Sequence, residues 1–242
     1  MSLVRIALLF ASITLSGCST LHLSAYTLDK DPLEPFNRKV YVFNDTIDQA
    51  VVKPVAQSYA KVVPQPAQTL VNNFFSNLDD VTVTTNDLLQ LKFVQAASDG
   101  SRVLFNTTFG LLGFINVTDR LEKHNEDFGQ TLGYWGMHSG PYLMLPLLGP
   151  SSFRDGVGLY GDSYVSVIGN TTPITSRYAA YAAEGLNKRV NLLDQEKVLD
   201  DATIDRYSSL RDFYLLRRQS LVYDGDPPRV KYDDEDDEEE AP

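Results

Sequence analysis

Phe36, Val40, Phe43 and Ile47 recur at intervals of four, three and four residues, the spacing of one face of an α-helix. The run Asp31-Pro32-Leu33-Glu34-Pro35 stands directly before them. Proline is tolerated in a first helical turn and acids favour a helix N-terminus, so a helix is expected to start there. Lys53-Pro54 and Val63-Pro64-Gln65-Pro66 are expected to break this region into short helices. Leu70, Phe74, Phe75, Leu78 and Val81 form a second apolar face, and residues 87–100 and 101–110 read as further helix, with Gly110 and Gly113 near its end. Late in the chain, Tyr178, Tyr181, Ala182, Gly185, Leu186, Val190 and Leu193 fit one helical face, and Ile204, Tyr207, Arg211, Tyr214 and Arg218 another.

The middle is different. From Phe128 to Gly161 aromatic and apolar residues are interrupted repeatedly by glycine and proline. That composition predicts loops, extended segments and a short hairpin rather than long helices. Gly129, Gly133, Gly136 and Gly140 are read as backbone requirements of turns. No internal repeat is visible. The expected fold is mainly α: a single helical domain over 31–222 with an irregular Gly/Pro-rich middle.

The two ends carry other signals. Arg5 precedes the apolar stretch Ile6–Ile13, and Leu15-Ser16-Gly17-Cys18 closes it. A positive start, a short apolar core and small residues at the break predict a signal peptide over 1–17. Cys18, the one cysteine of the chain, stands where a bacterial lipobox places the acylated thiol. An ordinary signal peptide with an incidental cysteine is the alternative. Residues 18–30 are then a lipidated tether. Ser19 favours the outer membrane, by the sorting rule of bacterial lipoproteins. At the other end, residues 233–240 carry −8 of the net charge of −11, leaving −3 for the rest. The segment 223–242 is expected to be an acidic, disordered tail, with docking of a basic partner as the minority reading.

Composition excludes several classes. With Cys18 acylated no thiol remains for a disulfide or metal site, and His22, His124 and His138 lack ligand spacing. No basic stripe suits nucleic acid. No Gly-rich phosphate loop suits a nucleotide, and no cofactor is expected. The longest apolar candidate, residues 103–117, would reach about 22 Å as a helix against about 30 Å of hydrocarbon. Gly161-Asp162-Ser163 is similar to the nucleophile segment of a lipase group, but no histidine follows His138 to take the serine proton. No enzyme activity is therefore expected.

Several stretches together resemble the MlaA/VacJ lipoprotein family. They are Asp31-Pro32-Leu33-Glu34-Pro35-Phe36-Asn37-Arg38, Val63-Pro64-Gln65-Pro66-Ala67, Phe128-Gly129-Gln130-Thr131-Leu132-Gly133, Gly140-Pro141-Tyr142-Leu143-Met144-Leu145-Pro146 and Leu147-Leu148-Gly149-Pro150-Ser151, followed by Arg154-Asp155. The resemblance covers most of residues 30–220 and not the acidic end. It implies an outer-membrane lipoprotein, anchored on the periplasmic-leaflet side, of an intermembrane phospholipid transport system. Such proteins remove misplaced phospholipid from the outer leaflet, pass it toward a soluble periplasmic carrier, and so maintain lipid asymmetry. It also implies a helical ring in the inner leaflet, with a pore, beside a trimeric porin. A porin-associated scaffold without lipid passage is the alternative, and a lipid hydrolase a remote one.

Within that implied frame, Arg211 and Arg218 lie in an aromatic stripe with Tyr207 and Tyr214, where guanidinium groups suit a phosphate. Pairing with Asp205 or Asp212, or stacking on tyrosine, is the plainer reading. Asp162 and Arg177 each sit beside an apolar run and are the other candidate channel charges, with surface placement as their alternative. Phe36 and Phe43 are expected to gate or, more simply, to pack, while Asn37 and Asn44 cap or pin that face. Tyr134, Trp135 and Tyr142 suit either headgroup anchoring or burial.

Overall fold

A computed structural model describes residues 31–202 and 205–228; the signal peptide, lipobox, tether and most of the acidic tail lie outside the described residues. The mainly helical expectation is met. Helix α1 is Glu34–Ile47, α2 Lys53–Val62, α3 Gln65–Leu89, α4 Phe93–Phe109, α5 Phe128–Tyr134, α6 Phe153–Val165, α7 Ile174–Ala202 and α8 Arg206–Val222. Strands β1 (Tyr142–Leu145) and β2 (Gly149–Ser152) pair antiparallel, with Tyr142 opposite Ser152 and Leu145 opposite Gly149.

Pro54 does not break the helix before it. The chain passes from α1 through one π-helical turn, Asp48–Val52, straight into α2. Proline removes the N–H that Ala50 would otherwise receive, and a widened turn absorbs that loss. Pro35 and Pro66 sit in the first turns of α1 and α3, where a missing N–H costs nothing.

Where residues 87–100 promised continuous helix, α3 ends at Leu89 and the chain turns with Leu91 in the left-handed region, φ 63°. No glycine announces that turn. The apolar stretch 103–117 is likewise not one helix: α4 ends at Phe109, and Leu111, Leu112 and Gly113 all take positive φ.

The middle holds the expected hairpin and also two helices. Gly136 and Gly140 do adopt positive φ, as turns require. Gly129 lies instead in α5 and faces α6. A Cβ on Gly158 would stand 2.4 Å from the Gly129 nitrogen, and one on Gly161 2.4 Å from the Phe128 ring. These glycines let two helix backbones touch.

Polarity is inverted. Among the described residues, nineteen polar or charged side chains are buried against nine apolar ones, while forty large apolar side chains stand exposed. The compact apolar cluster is small: Tyr142 and Met144 of β1 meet Tyr207 and Leu215 of α8, flanked by Val40, Tyr41 and Tyr214. Tyrosine edges meet faces at 5.9 to 6.2 Å across it. On α1, Phe36 and Phe43 are 55% and 50% exposed while Asn37 is fully buried. The apolar stripe read from the sequence is therefore split: Val40 packs against the core, while Phe36 and Phe43 stand exposed.

The glycine contact gives a test. Gly158→Ala must push α5 from α6 and should cost about 1–3 kcal/mol. Gly185 on α7 has open space around its Cα, so Gly185→Ala should stabilise by about 0.5–1 kcal/mol. Thermal unfolding of the purified variants in one detergent measures both.

Candidate functional site

Helix α1 holds the hairpin through two amides. Asn37 Nδ2 donates to the Tyr142 carbonyl (3.0 Å), and its Oδ1 accepts from the Met144 N–H (2.9 Å). Two helical turns on, Asn44 Nδ2 donates to the Leu145 carbonyl (2.9 Å) and its Oδ1 accepts from the Leu147 N–H (2.8 Å). Asn37 also donates to Asp31, which accepts in turn from the Tyr207 hydroxyl. Arg38 completes this side with paired bonds to Asp205, at 3.3 and 2.7 Å.

The interior between α3, α5, α6 and α8 is charged. Asp127 caps α5, accepting from the Gln130 N–H at 2.8 Å. Ser152 caps α6, accepting from the Asp155 N–H at 3.1 Å. The Arg218 guanidinium from α8 reaches both helix starts, donating to Asp127 at 2.5 and 2.9 Å and to Asp155 at 2.8 Å. Tyr214 adds a hydroxyl donor to Asp155 at 2.6 Å. Burial alone would raise both carboxyls, but the Arg218 charge outweighs it and holds each below its ordinary value.

Asp162 of α6 enters from the other side. It accepts from the Phe128 N–H and, at 2.9 Å, from Asn86 of α3. Burial pushes this carboxyl up to about 6 despite those donors. Asn86 continues the chain of bonds to Thr131 (2.8 Å), Thr131 accepts from Gln90 (3.1 Å), and Gln90 donates to Glu126 (2.8 Å). Lys92 then joins Glu126 to Asp224, at 2.9 and 2.6 Å.

The facing side of α3 and α4 carries Asp80 and Arg102 at 3.1 Å, Lys123 on Asp80 at 2.6 Å, and His124 on Asp99 at 2.6 Å. Asp87 lies fully buried near them, and neither of its carboxylate oxygens has a partner. Burial pushes it up to about 7, reinforced by the charges of Asp99 and Glu126. A further knot ties α7 to the π-helical turn: Arg189 grips Asp48 through two bonds of 2.8 Å, and Glu196 receives both Arg189 and Lys53.

Of the candidate channel charges, Asp162 and Arg218 meet at neighbouring residues of the α5 start, Phe128 and Asp127. Arg211 lies apart; it pairs with Asp212 at 2.8 Å and its side chain keeps 13% exposure. Arg177 is bonded locally to the Thr171 carbonyl at 3.2 Å. Tyr142 belongs to the core, whereas Tyr134 and Trp135 are exposed. The sequence reading overlooked Asn86, Asp87, Asp127 and Asp155. Asn73, Asn77, Asp80, Thr84 and Asp87 repeat at helical spacing along α3, a polar stripe that could have revealed the inward face. Among the described residues no cluster of His, Cys, Asp or Glu is placed to hold a metal ion.

Two measurements probe this interior. Arg218→Met takes the guanidinium from Asp127 and leaves Asp155 with Arg154 (3.0 Å) as its remaining cation, so unfolding should become easier by about 1.5–3 kcal/mol. A carboxyl raised on folding contributes most below its unfolded value and loses that contribution as pH rises through its folded one. Wild-type stability should thus decline from about pH 4 to about pH 7 in part through Asp87. Asp87→Asn should flatten that decline, read from melting temperature against pH.

The family model described as "MlaA lipoprotein" matches residues 29–221. The "Intermembrane phospholipid transport system lipoprotein MlaA" of Escherichia coli strain K12 is 35% identical over 204 residues, covering 81% of this chain and 80% of that protein. The Haemophilus influenzae protein of the same description is 29% identical over 224 residues, covering 90% and 89%. A chain from a solved structure, described as "Structural basis for maintenance of bacterial outer membrane lipid asymmetry", superposes with a TM-score of 0.72 at 30% identity, covering 80% of this chain and 99% of that one. With the family model matched across residues 29–221 and a relative 35% identical over 81% of its length, the chain belongs to the MlaA lipoprotein family.

Proposed function

We propose that this protein is an outer-membrane lipoprotein of an intermembrane phospholipid transport system. It removes mislocalised phospholipid from the outer leaflet and passes it to a periplasmic carrier, a conduit that performs no covalent chemistry. Cys18 carries the lipid anchor on the periplasmic-leaflet side, and a trimeric porin stands beside the protein. The observation that carries this reading is the inverted polarity: buried amides, carboxylates and guanidinium groups inside, exposed aromatic and aliphatic residues outside. A water-soluble fold gains its stability by the opposite arrangement. Among the described residues no helix is long and apolar enough to cross a membrane, which suits seating in a single leaflet.

In this reading a phospholipid headgroup exchanges its water for the protein's polar interior while its acyl chains stay against apolar walls. Arg218 is committed to Asp127 and Asp155 and acts by holding α5, α6 and α8 together. Asp162 holds the α5 start. Arg211, balanced by the more exposed Asp212, and Arg177 remain the candidates for direct contact with a phosphate. Net direction comes from the lipid gradient or from other components.

The test is outer-leaflet phospholipid in a deletion strain, measured by enzymatic acylation of lipid A or by phospholipase accessibility of whole cells. Deletion should raise the signal. The wild-type gene should reverse it, Cys18→Ala should not, and Arg211→Glu at normal abundance should reverse it only partly. An unchanged signal on deletion would overturn the transport reading. Full reversal by Arg211→Glu would remove that residue from the lipid path.

A further inference from the structure

We propose a peripheral phospholipid site, separate from the polar interior, at the C-terminal end of α4, selective for a zwitterionic headgroup. Its ligand class rests on the transport reading above; its position rests on geometry. Phe105 and Phe109 stack at 6.0 Å and form one wall of a cleft of about 650 Å³. The opposite wall is the segment Val117-Thr118-Asp119-Arg120-Leu121. Such a volume is that of an ordinary small-molecule site. None of Asp162, Arg177, Arg211 or Arg218 lines it.

The second wall is held rigidly. Asn106 of α4 accepts from the Val117 N–H at 2.9 Å and from the Thr118 hydroxyl at 3.2 Å. Arg102 donates to the Leu121 carbonyl at 3.1 Å. Between these two anchors Asp119 and Arg120 are exposed, and neither has a hydrogen-bond or ion-pair partner among the described residues. Two opposite charges, adjacent in the chain, thus line the cleft with no partner among the described residues. A purely apolar partner would leave both unanswered, and a simple anion would be repelled by Asp119. A phosphoethanolamine-type headgroup answers both: its phosphate meets the Arg120 guanidinium and its ammonium the Asp119 carboxylate. An acyl chain then lies between Phe105, Phe109 and Val117. Phe109, 68% exposed, and the neighbouring Leu111 and Leu112 place the cleft beside a surface that an acyl layer would cover.

Native mass spectrometry of the full-length protein in detergent, titrated with phosphatidylethanolamine or phosphatidylglycerol, reads the site directly and does not depend on transport. Wild type should retain phosphatidylethanolamine in preference to phosphatidylglycerol. Asp119→Lys should reverse that preference, by about tenfold in the ratio, as expected for exchanging one charge-assisted contact. Arg120→Glu should lower retention of both lipids, and Val117→Trp should do so by filling the cleft. Both charge changes are at exposed positions and leave the fold intact, which circular dichroism checks. An unaltered lipid ratio in Asp119→Lys, or unaltered retention in Arg120→Glu, overturns the site. An unchanged outer-leaflet signal in the deletion strain would sink the transport reading alone and leave these ratios standing.

Discussion

A charge taken out of water has to be answered inside the protein, and the placement of Arg218 shows how this fold answers it. One guanidinium fork from α8 reaches the carboxylate that caps α5 and another in the first turn of α6. Those carboxylates already serve helix N-termini, where negative charge is favoured. The ion pairs therefore fix three helices relative to one another, not merely three side chains. Asp162 acts in the same way from the opposite side, since it satisfies the first N–H of α5 and an amide of α3 together. Removing Arg218 is costly because Asp155 then stays buried with Arg154 as its remaining cation.

Close backbone approach follows from the same requirement. For Asp127 and Asp155 to share one arginine, α5 and α6 must lie very near each other. Gly129 against Gly158, and Gly161 under the Phe128 ring, provide that nearness. In the proposed lipid setting this matters more than usual. Acyl chains are as apolar as leucine, so small residues and hydrogen bonds, rather than hydrophobic burial, bring helices together. Among the described residues, the tyrosine cluster of β1 and α8 is where buried apolar side chains pack together in the ordinary form.

Most helices were legible in the sequence, because their periodicity and proline positions depend on local geometry. The left-handed turn at Leu91 was not, since leucine carries no turn signal. Reading Gly129 and Gly133 as turn residues missed their helix because a glycine required for contact and one required for a turn look the same in a sequence. The interior was illegible for a deeper reason. Hydrophobic periodicity locates whichever face is apolar, and on α1 Phe36 and Phe43 of that face are exposed while Val40 packs against the core. Asn37 and Asn44 shared its spacing and were near at hand, but their backbone partners lie more than a hundred residues away. Asp162 emerged from its place beside an apolar run and Arg218 from its place in an aromatic stripe, while the carboxylate that Arg218 grips, Asp127, carries no such signal.

The two asparagines of α1 have a mechanical consequence. Each amide offers one donor and one acceptor to alternate backbone groups of the hairpin, much as a neighbouring strand would. Isolated two-stranded hairpins are marginal in water, and this one gains a third, side-chain-made edge. Because the amides are seven residues apart on a rigid helix, they fix two points on the hairpin and so its angle as well as its position. A shift of the hairpin by one residue would turn its carbonyls and N–H groups away from both amides at once. The helix and hairpin are therefore coupled: turning α1 about its axis, or sliding it, carries the hairpin's Leu147-Leu148 tip with it.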